Sequence, residues 1–200
     1  MKFILASTNK GKIKEIQDIL GKKHTLQTAI GVGFKENVLE YGYTFSENAI
    51  IKATALKKFV EKTEKNFDCD YVIADDSGIE IDALDKKPGV QSARWLGATT
   101  PYNIKNRRIL EMLSNVPPEE RTARFVAVIV CIAKNGKVEI IRDTVEGFIA
   151  PNAIGENGFG YDPIFLLPQY NRTLAELTTY EKNHISHRGK AIRHLFEVLL

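Results

Sequence analysis

Hydrophobic residues along the chain follow two rhythms that alternate with each other. "KFILAS" (residues 2–7) is a short apolar run that reads as a strand, and "TNKGK" behind it reads as a polar glycine loop. Ile13, Ile16 and Leu20 then recur at spacings of three and four, which predicts a helix. "TLQTAIGV" (25–32) is the next strand candidate. Thr44 followed by Glu47 forms a capping-box pattern that opens a long helix through "SENAIIKATALKKFVEKTEK" (46–65). "DYVIADD" and "IEIDAL" are strand candidates on either side of Ser77-Gly78, read as a turn. Pro101 and the Pro117-Pro118 pair frame one more helix. Two β-branched runs flank Asn135-Gly136, the strongest short hairpin signal. A last helix covers "HRGKAIRHLFEVLL" (187–200).

Strands and helices interleaved in this way define an α/β chain. The expected architecture is an elongated mixed β-sheet with helices on both sides and the hairpin in one lobe. No repeat, linker or low-complexity tract divides it, so residues 1–200 are expected to form a single domain.

Composition narrows the class only slightly. A hydrophobic fraction of 44% with 26% charged residues is globular, and a net charge of +3 is too small for bulk nucleic-acid binding. Scattered aromatics leave a single-stranded nucleic-acid module as a rival reading. Such modules need a continuous basic groove, whereas here acids sit in the same motifs as the bases. Cys69 and Cys131 make no metal-ligand pattern, and Cys131 reads as a buried small hydrophobe. The longest apolar run, Phe125 to Ala133, is far short of a membrane span, and no secretory signal opens the chain. The expected location is therefore cytoplasmic, with no membrane and no nucleic acid among the partners.

Five segments carry candidate chemistry. Ser7, Thr8, Asn9, Lys10, Gly11 and Lys12 lie between strand and helix, where free N–H groups and a partial positive charge favour a phosphate. No GxxxxGK[ST] is present, so this is not a P-loop. In "ADDSG" (74–78), strand alternation turns Asp75 and Asp76 to opposite faces. Asp76 is placed to hold a magnesium ion, which prefers oxygen ligands shared with substrate phosphates, or to act as a general base on water. Alone, the pair reads equally well as two turn acids. Glu40 is a possible second metal ligand, Glu47 is explained by capping, and Lys52 lies one helical turn beyond Asn48. "GFGYDPIF" (158–165) offers Phe159 and Tyr161 as aromatic faces and Asp162 as a carboxylate, around Gly160. At the start of the last helix, Lys182, His184, His187, Arg188 and Lys190 crowd together without a zinc pattern. Arg188 has the donors to read a purine O6 and N7. A phosphate cradle, a metal carboxylate, a stacking aromatic and a base-edge reader together describe a purine nucleoside triphosphate site.

"TNxxK", "TFxENAxxKA", "ADDSG", "PGVxSAR", "GFGYDPIF" and "ISHRGKA" occur in this order from the N-terminal strand to about Ala191. The set resembles the Ham1-like inosine triphosphate pyrophosphatase family, which removes non-standard purine nucleotides from the pool. The resemblance implies hydrolysis of ITP, dITP and XTP to monophosphate and pyrophosphate with Mg2+, in a homodimer. It also implies an elongated α/β fold whose two lobes flank a central cleft. By motif match, Ser7 to Lys12 would hold phosphates, and Asp76 would be proton acceptor and magnesium ligand, with Ser77 beside the substrate. Phe159 to Asp162, Lys182, His187 and Arg188 would hold the nucleotide. The chain departs from many relatives just before Gly42: "VLEYG" places Leu39 where one of two acids would stand, leaving Glu40 alone. A pyrophosphatase acting on modified pyrimidines is the rival enzyme, and the purine fit of Arg188 and Phe159 argues against it.

Overall fold

The computed structural model describes residues 1–63 and 69–200. The end of the predicted second helix, at Glu64 and Lys65, lies outside the described residues. In chain order the regular elements are β1 (Lys2–Leu5), α1 (Lys10–Leu20), β2 (Thr25–Thr28), α2 (Phe45–Lys62) and β3 (Tyr71–Ile81). There follow α3 (Tyr102–Met112), β4 (Thr122–Ala133), β5 (Val138–Ile149), β6 (Phe165–Leu167), β7 (Arg172–Thr173), α4 (Thr179–Ile185) and α5 (His187–Leu199). The strands form one seven-stranded sheet in the order β2-β1-β3-β4-β5-β6-β7. β1 runs parallel to both β2 and β3, while β5, β6 and β7 pair antiparallel, so the sheet is mixed as expected.

Local chemistry explains most boundaries. The Thr44 hydroxyl accepts from the Glu47 N–H at 3.1 Å, and the Glu47 carboxylate accepts from the Thr44 N–H at 3.0 Å, completing the capping box of α2. Between β4 and β5 the Asn135 side chain accepts from the Lys137 N–H at 3.0 Å, and Gly136 takes a positive φ of 88°. Two expectations change. The second strand ends at Thr28, because residues 29–34 coil into turns bonded back to Thr28, Ala29 and Ile30. Ser77-Gly78 is not a turn: β3 passes straight through it as one eleven-residue strand. A Cβ on Gly78 would collide with the Ser92 side chain and the Gly89 carbonyl, so glycine is there for close packing rather than for chain reversal.

The chain resolves into two compact units. The first comprises Met1–Asp76, Ala127–Asp143 and Arg188–Leu200, and the second Ser77–Val126 and Thr144–His187. In the first, Phe3, Leu5, Ile73, Ala127, Ile129 and Cys131 form one core with Ile16 and Leu20 of α1 and Ile192 and Leu195 of α5. The alternate strand residues Ile4, Val72, Ala74, Val128 and Val130 are as deeply buried, as are Ala49, Ala53 and Leu56 of α2. Strands buried on both faces read as continuous apolar runs, as "FVAVIVCIA" does. Burial pushes the Cys131 thiol up to about 12, consistent with a packed hydrophobe. The second unit has its own core of Ile79, Ile81, Ile109, Leu113, Phe125, Tyr161 and Phe165.

Candidate active site

The register of two parallel strands assembles the first cluster. Leu5 of β1 is level with Ile73 of β3, and the Ala6 N–H donates to the Ile73 carbonyl at 2.8 Å. Two residues further on, Ser7 has passed the carboxyl end of β1, the kind of position where α/β sheets bind ligands, while Asp75 is still inside β3. Asn9 caps α1, its side chain accepting from the Lys12 N–H at 3.1 Å. The Ser7 hydroxyl accepts from the Asn9 N–H at 3.2 Å. Thr8 and Lys10 are exposed, whereas Ser7, Asn9, Gly11 and Lys12 are half-buried. The whole predicted phosphate loop is thus the N-terminal approach of one helix.

Asp75 and Asp76 are both buried, and each has a cation of its own. Asp75 shares a face with Ile73 and meets Lys12 of α1. It also accepts from Arg188 Nε at 2.9 Å, and Arg188 Nη1 reaches Glu15 of α1. Glu15, Arg188, Asp75 and Lys12 form a charge-balanced cluster that ties α1, β3 and α5 together. Burial alone would raise the Asp75 carboxyl, but Arg188 and Lys12 overcome it and hold the group far below the ordinary range. Burial acts oppositely on Lys12, whose ammonium is lowered despite Asp75.

Asp76 faces the α2 side. Its Oδ1 accepts from Lys52 Nζ at 2.7 Å, and the same ammonium lies 3.1 Å from Glu40 Oε1 and 2.8 Å from the Asp75 carbonyl oxygen. Asp76 Oδ2 is buried without a hydrogen-bond partner. Burial raises the Asp76 carboxyl above its ordinary value, Lys52 only partly opposing it. Lys52 is raised: burial pulls it down, and Asp76 and Glu40 outweigh that. An orphaned carboxylate oxygen beside a second carboxylate suits magnesium, which takes one or two carboxylates and leaves its other positions to water and phosphates. Among the described residues no group of three or more acids, histidines or cysteines gathers that could hold a metal ion.

The second unit holds the other predicted residues. Asp162 Oδ2 accepts from the Phe159 N–H at 2.7 Å and from Lys182 Nζ at 2.5 Å, and that ammonium sits 4.9 Å from the centre of the Phe159 ring. Phe159 and Gly160 are half-buried. Ser77, also half-buried, begins this unit's share of β3. Tyr161 differs from expectation. It is only 2% exposed, its hydroxyl donates to the Ser92 carbonyl at 2.8 Å, and its ring packs edge-on against Tyr102, so it is core rather than a stacking face. His187 is buried with its ring stacked on Phe125, 4.9 Å between centres.

Arg188 also takes partners the sequence did not indicate. A base-edge reader was expected, yet Nε and Nη1 are committed to Asp75 and Glu15, with the residue 2% exposed. Other contributors went unread. Glu15 is an acid beside Ile16 on the apolar stripe of α1, a position where burial demands a cation. Ser92 accepts from the Ile79 N–H at 2.9 Å and donates to the Gly89 carbonyl at 2.5 Å, locking "PGVQSAR" onto β3. Lys105 Nζ donates to the Ala93 carbonyl at 2.7 Å, and Asn106 Nδ2 donates to the Gly160 carbonyl at 3.1 Å, holding the Phe159 loop. No periodicity marks these polar residues on α3.

A sequence model of the Ham1 family matches residues 3–198, and the chain belongs to that family. It is 43% identical to the dITP/XTP pyrophosphatase of Desulforamulus reducens over 100% of this chain and 96% of that one. It is 41% identical to the dITP/XTP pyrophosphatase of Bacillus subtilis over 98% and 96%. Among solved structures, the Staphylococcus aureus Ham1 protein superposes with a TM-score of 0.85 at 37% identity, covering 100% of this chain and 98% of that one. A Ham1 protein from Coxiella burnetii gives 0.83 at 37% identity with the same coverage.

Proposed function

We propose that this protein hydrolyses non-standard purine nucleoside triphosphates, dITP, XTP and ITP, to the monophosphate and pyrophosphate. The observation that carries the reading is Asp76: a buried carboxylate within β3, with one oxygen on Lys52 and the other unpartnered. Full-length relatives named dITP/XTP pyrophosphatase support the substrate class.

The residues divide the work. Ser7 to Lys12 bind the phosphates through the N–H groups and charge of α1. Asp76, ionised, accepts a proton from the attacking water as the α–β phosphoanhydride breaks, so that one oxygen goes to the nucleoside monophosphate and pyrophosphate leaves. Asp76 and Glu40 would hold Mg2+, which supplies charge neutralisation at the phosphates when bound. Lys52 keeps Asp76 ionised despite burial. In the second unit, Phe159 stacks on the purine, Lys182 and Asp162 shape its surroundings, and Ser77 and His187 lie in the same motifs. Arg188 acts by fixing Asp75, the neighbour of the base, and base selection then rests on Phe159 and its loop.

A homodimer in the cytoplasm belongs to the same proposal, and among the described residues no helix is long and apolar enough to cross a membrane. Incubating the protein with XTP or dITP and Mg2+ tests the reading: pyrophosphate and monophosphate should appear in equal amounts. Gel filtration with light scattering tests the dimer.

A further inference from the structure

One ammonium stands where two carboxylates converge. Lys52 Nζ has Asp76 Oδ1 at 2.7 Å, the Asp75 carbonyl oxygen at 2.8 Å and Glu40 Oε1 at 3.1 Å, and its side chain is 12% exposed. Three oxygens from two separate segments around one buried cation is a cation site already built from protein. Asp76 Oδ2 is left without a hydrogen-bond donor.

The segment that follows Glu40 is packed onto α2. The Gly42 N–H donates to Asn48 Oδ1 at 2.8 Å, and the Tyr43 and Thr44 N–H groups donate to Glu47 Oε2 at 2.6 and 3.0 Å. A Cβ on Gly42 would lie 2.6 Å from the Glu47 Cβ, so residues 42–44 are pressed against the first turn of α2. Lys52 lies one turn along that same helix from Asn48, and Glu40 reaches it at 3.1 Å.

We propose that Lys52 is a resident counter-ion that competes with the divalent metal for Asp76 and Glu40. In the absence of substrate its ammonium occupies the oxygens that a metal needs, and it must withdraw from them for the metal to bind. A flexible four-carbon stem permits that withdrawal, and substrate phosphates offer the displaced ammonium a new partner. Metal and nucleotide binding are thereby coupled: each is weak alone, because without phosphates Lys52 has nowhere better to go. This inference rests on the assignment of Asp76 and Glu40 as metal donors made above.

The test is metal affinity without nucleotide, read by calorimetry with MgCl2 and by the Mn2+ resonance signal, for wild type, Lys52→Met and Lys52→Gln. Both variants should bind the metal more tightly than wild type by about tenfold or more, the scale expected when a competing unit charge is removed. Mg2+ should also raise their melting temperatures more than that of wild type. Unchanged or weaker metal binding in both variants overturns the inference. Pyrophosphate release from XTP by the wild type is scored separately. If it occurs while the variants bind metal no better, the counter-ion role fails and the proposed activity stands.

Discussion

Asp75 and Asp76 are consecutive in one strand, yet Asp75 is held by Lys12 and Arg188 while Asp76 is held by Lys52. Strand alternation sends one carboxylate to the α1 and α5 side and the other to the α2 side. One residue is therefore structural and the next is available for chemistry, and their substitutions should separate.

Asp75→Asn should destabilise the fold. It leaves Arg188 and Lys12 buried against Glu15 alone, and breaking a buried pair costs about 3–5 kcal/mol. Urea denaturation at neutral pH measures this. The Asp75 carboxyl lies below its ordinary value in the folded state, so the unfolded chain binds the proton more readily. Its contribution is full above the ordinary aspartate range and is lost as pH falls through the folded value. Wild type should lose stability on acidification there, and Asp75→Asn should show a flatter profile.

Asp76→Asn should leave stability at neutral pH equal to or above that of wild type and lower kcat by about 10²–10⁴-fold, since an amide cannot take a proton from water. The sign is opposite to that of Asp75. The folded carboxyl is raised, so ionising it at neutral pH costs stability that the amide does not lose. In the metal-free protein the Asp76 carboxyl should titrate above the ordinary aspartate range, read by NMR, and Lys52→Met should raise it further, because the ammonium favours the ionised form. A carboxyl unmoved by Lys52→Met would contradict the pairing.

Phe159→Ala should raise KM for XTP with a smaller effect on kcat, by the roughly 1–3 kcal/mol of a base stacked on an aromatic. Phe159→Tyr should restore it. A loss confined to kcat would show that the ring is not a platform for the base.

Gly78→Ala should cost about 1–3 kcal/mol by overpacking against Ser92 and Gly89, although glycine is the weaker strand former of the two. Thermal unfolding checks this: an unchanged melting temperature would show that the close approach of Ser92 and Gly89 does not constrain the position.

The legible parts of the fold were those decided by neighbours in sequence. The Thr44–Glu47 box, the Asn135-Gly136 hairpin and the Ile13–Ile16–Leu20 stripe each need only a few consecutive residues. Ser77-Gly78 misled because a serine–glycine pair is locally a turn signal, and the close approach of Ser92 that explains the glycine is tertiary. Arg188 misled for the same reason: its partner Asp75 is 113 residues away and Glu15 is 173 away, so a family motif located the arginine without its neighbours. Tyr161 looked like a platform because loop aromatics can be exposed, and only packing with Tyr102 and Ser92 showed it buried.

Pyrophosphate release from XTP, dITP, ITP, ATP, GTP and CTP, with and without Mg2+, tests the central claim most directly. The account predicts pyrophosphate and nucleoside monophosphate in equal amounts from XTP, dITP and ITP. It further predicts much slower release from the standard triphosphates, and almost none from any substrate with Asp76→Asn. Orthophosphate with diphosphate as products, or ATP and GTP cleaved as fast as XTP, would contradict it.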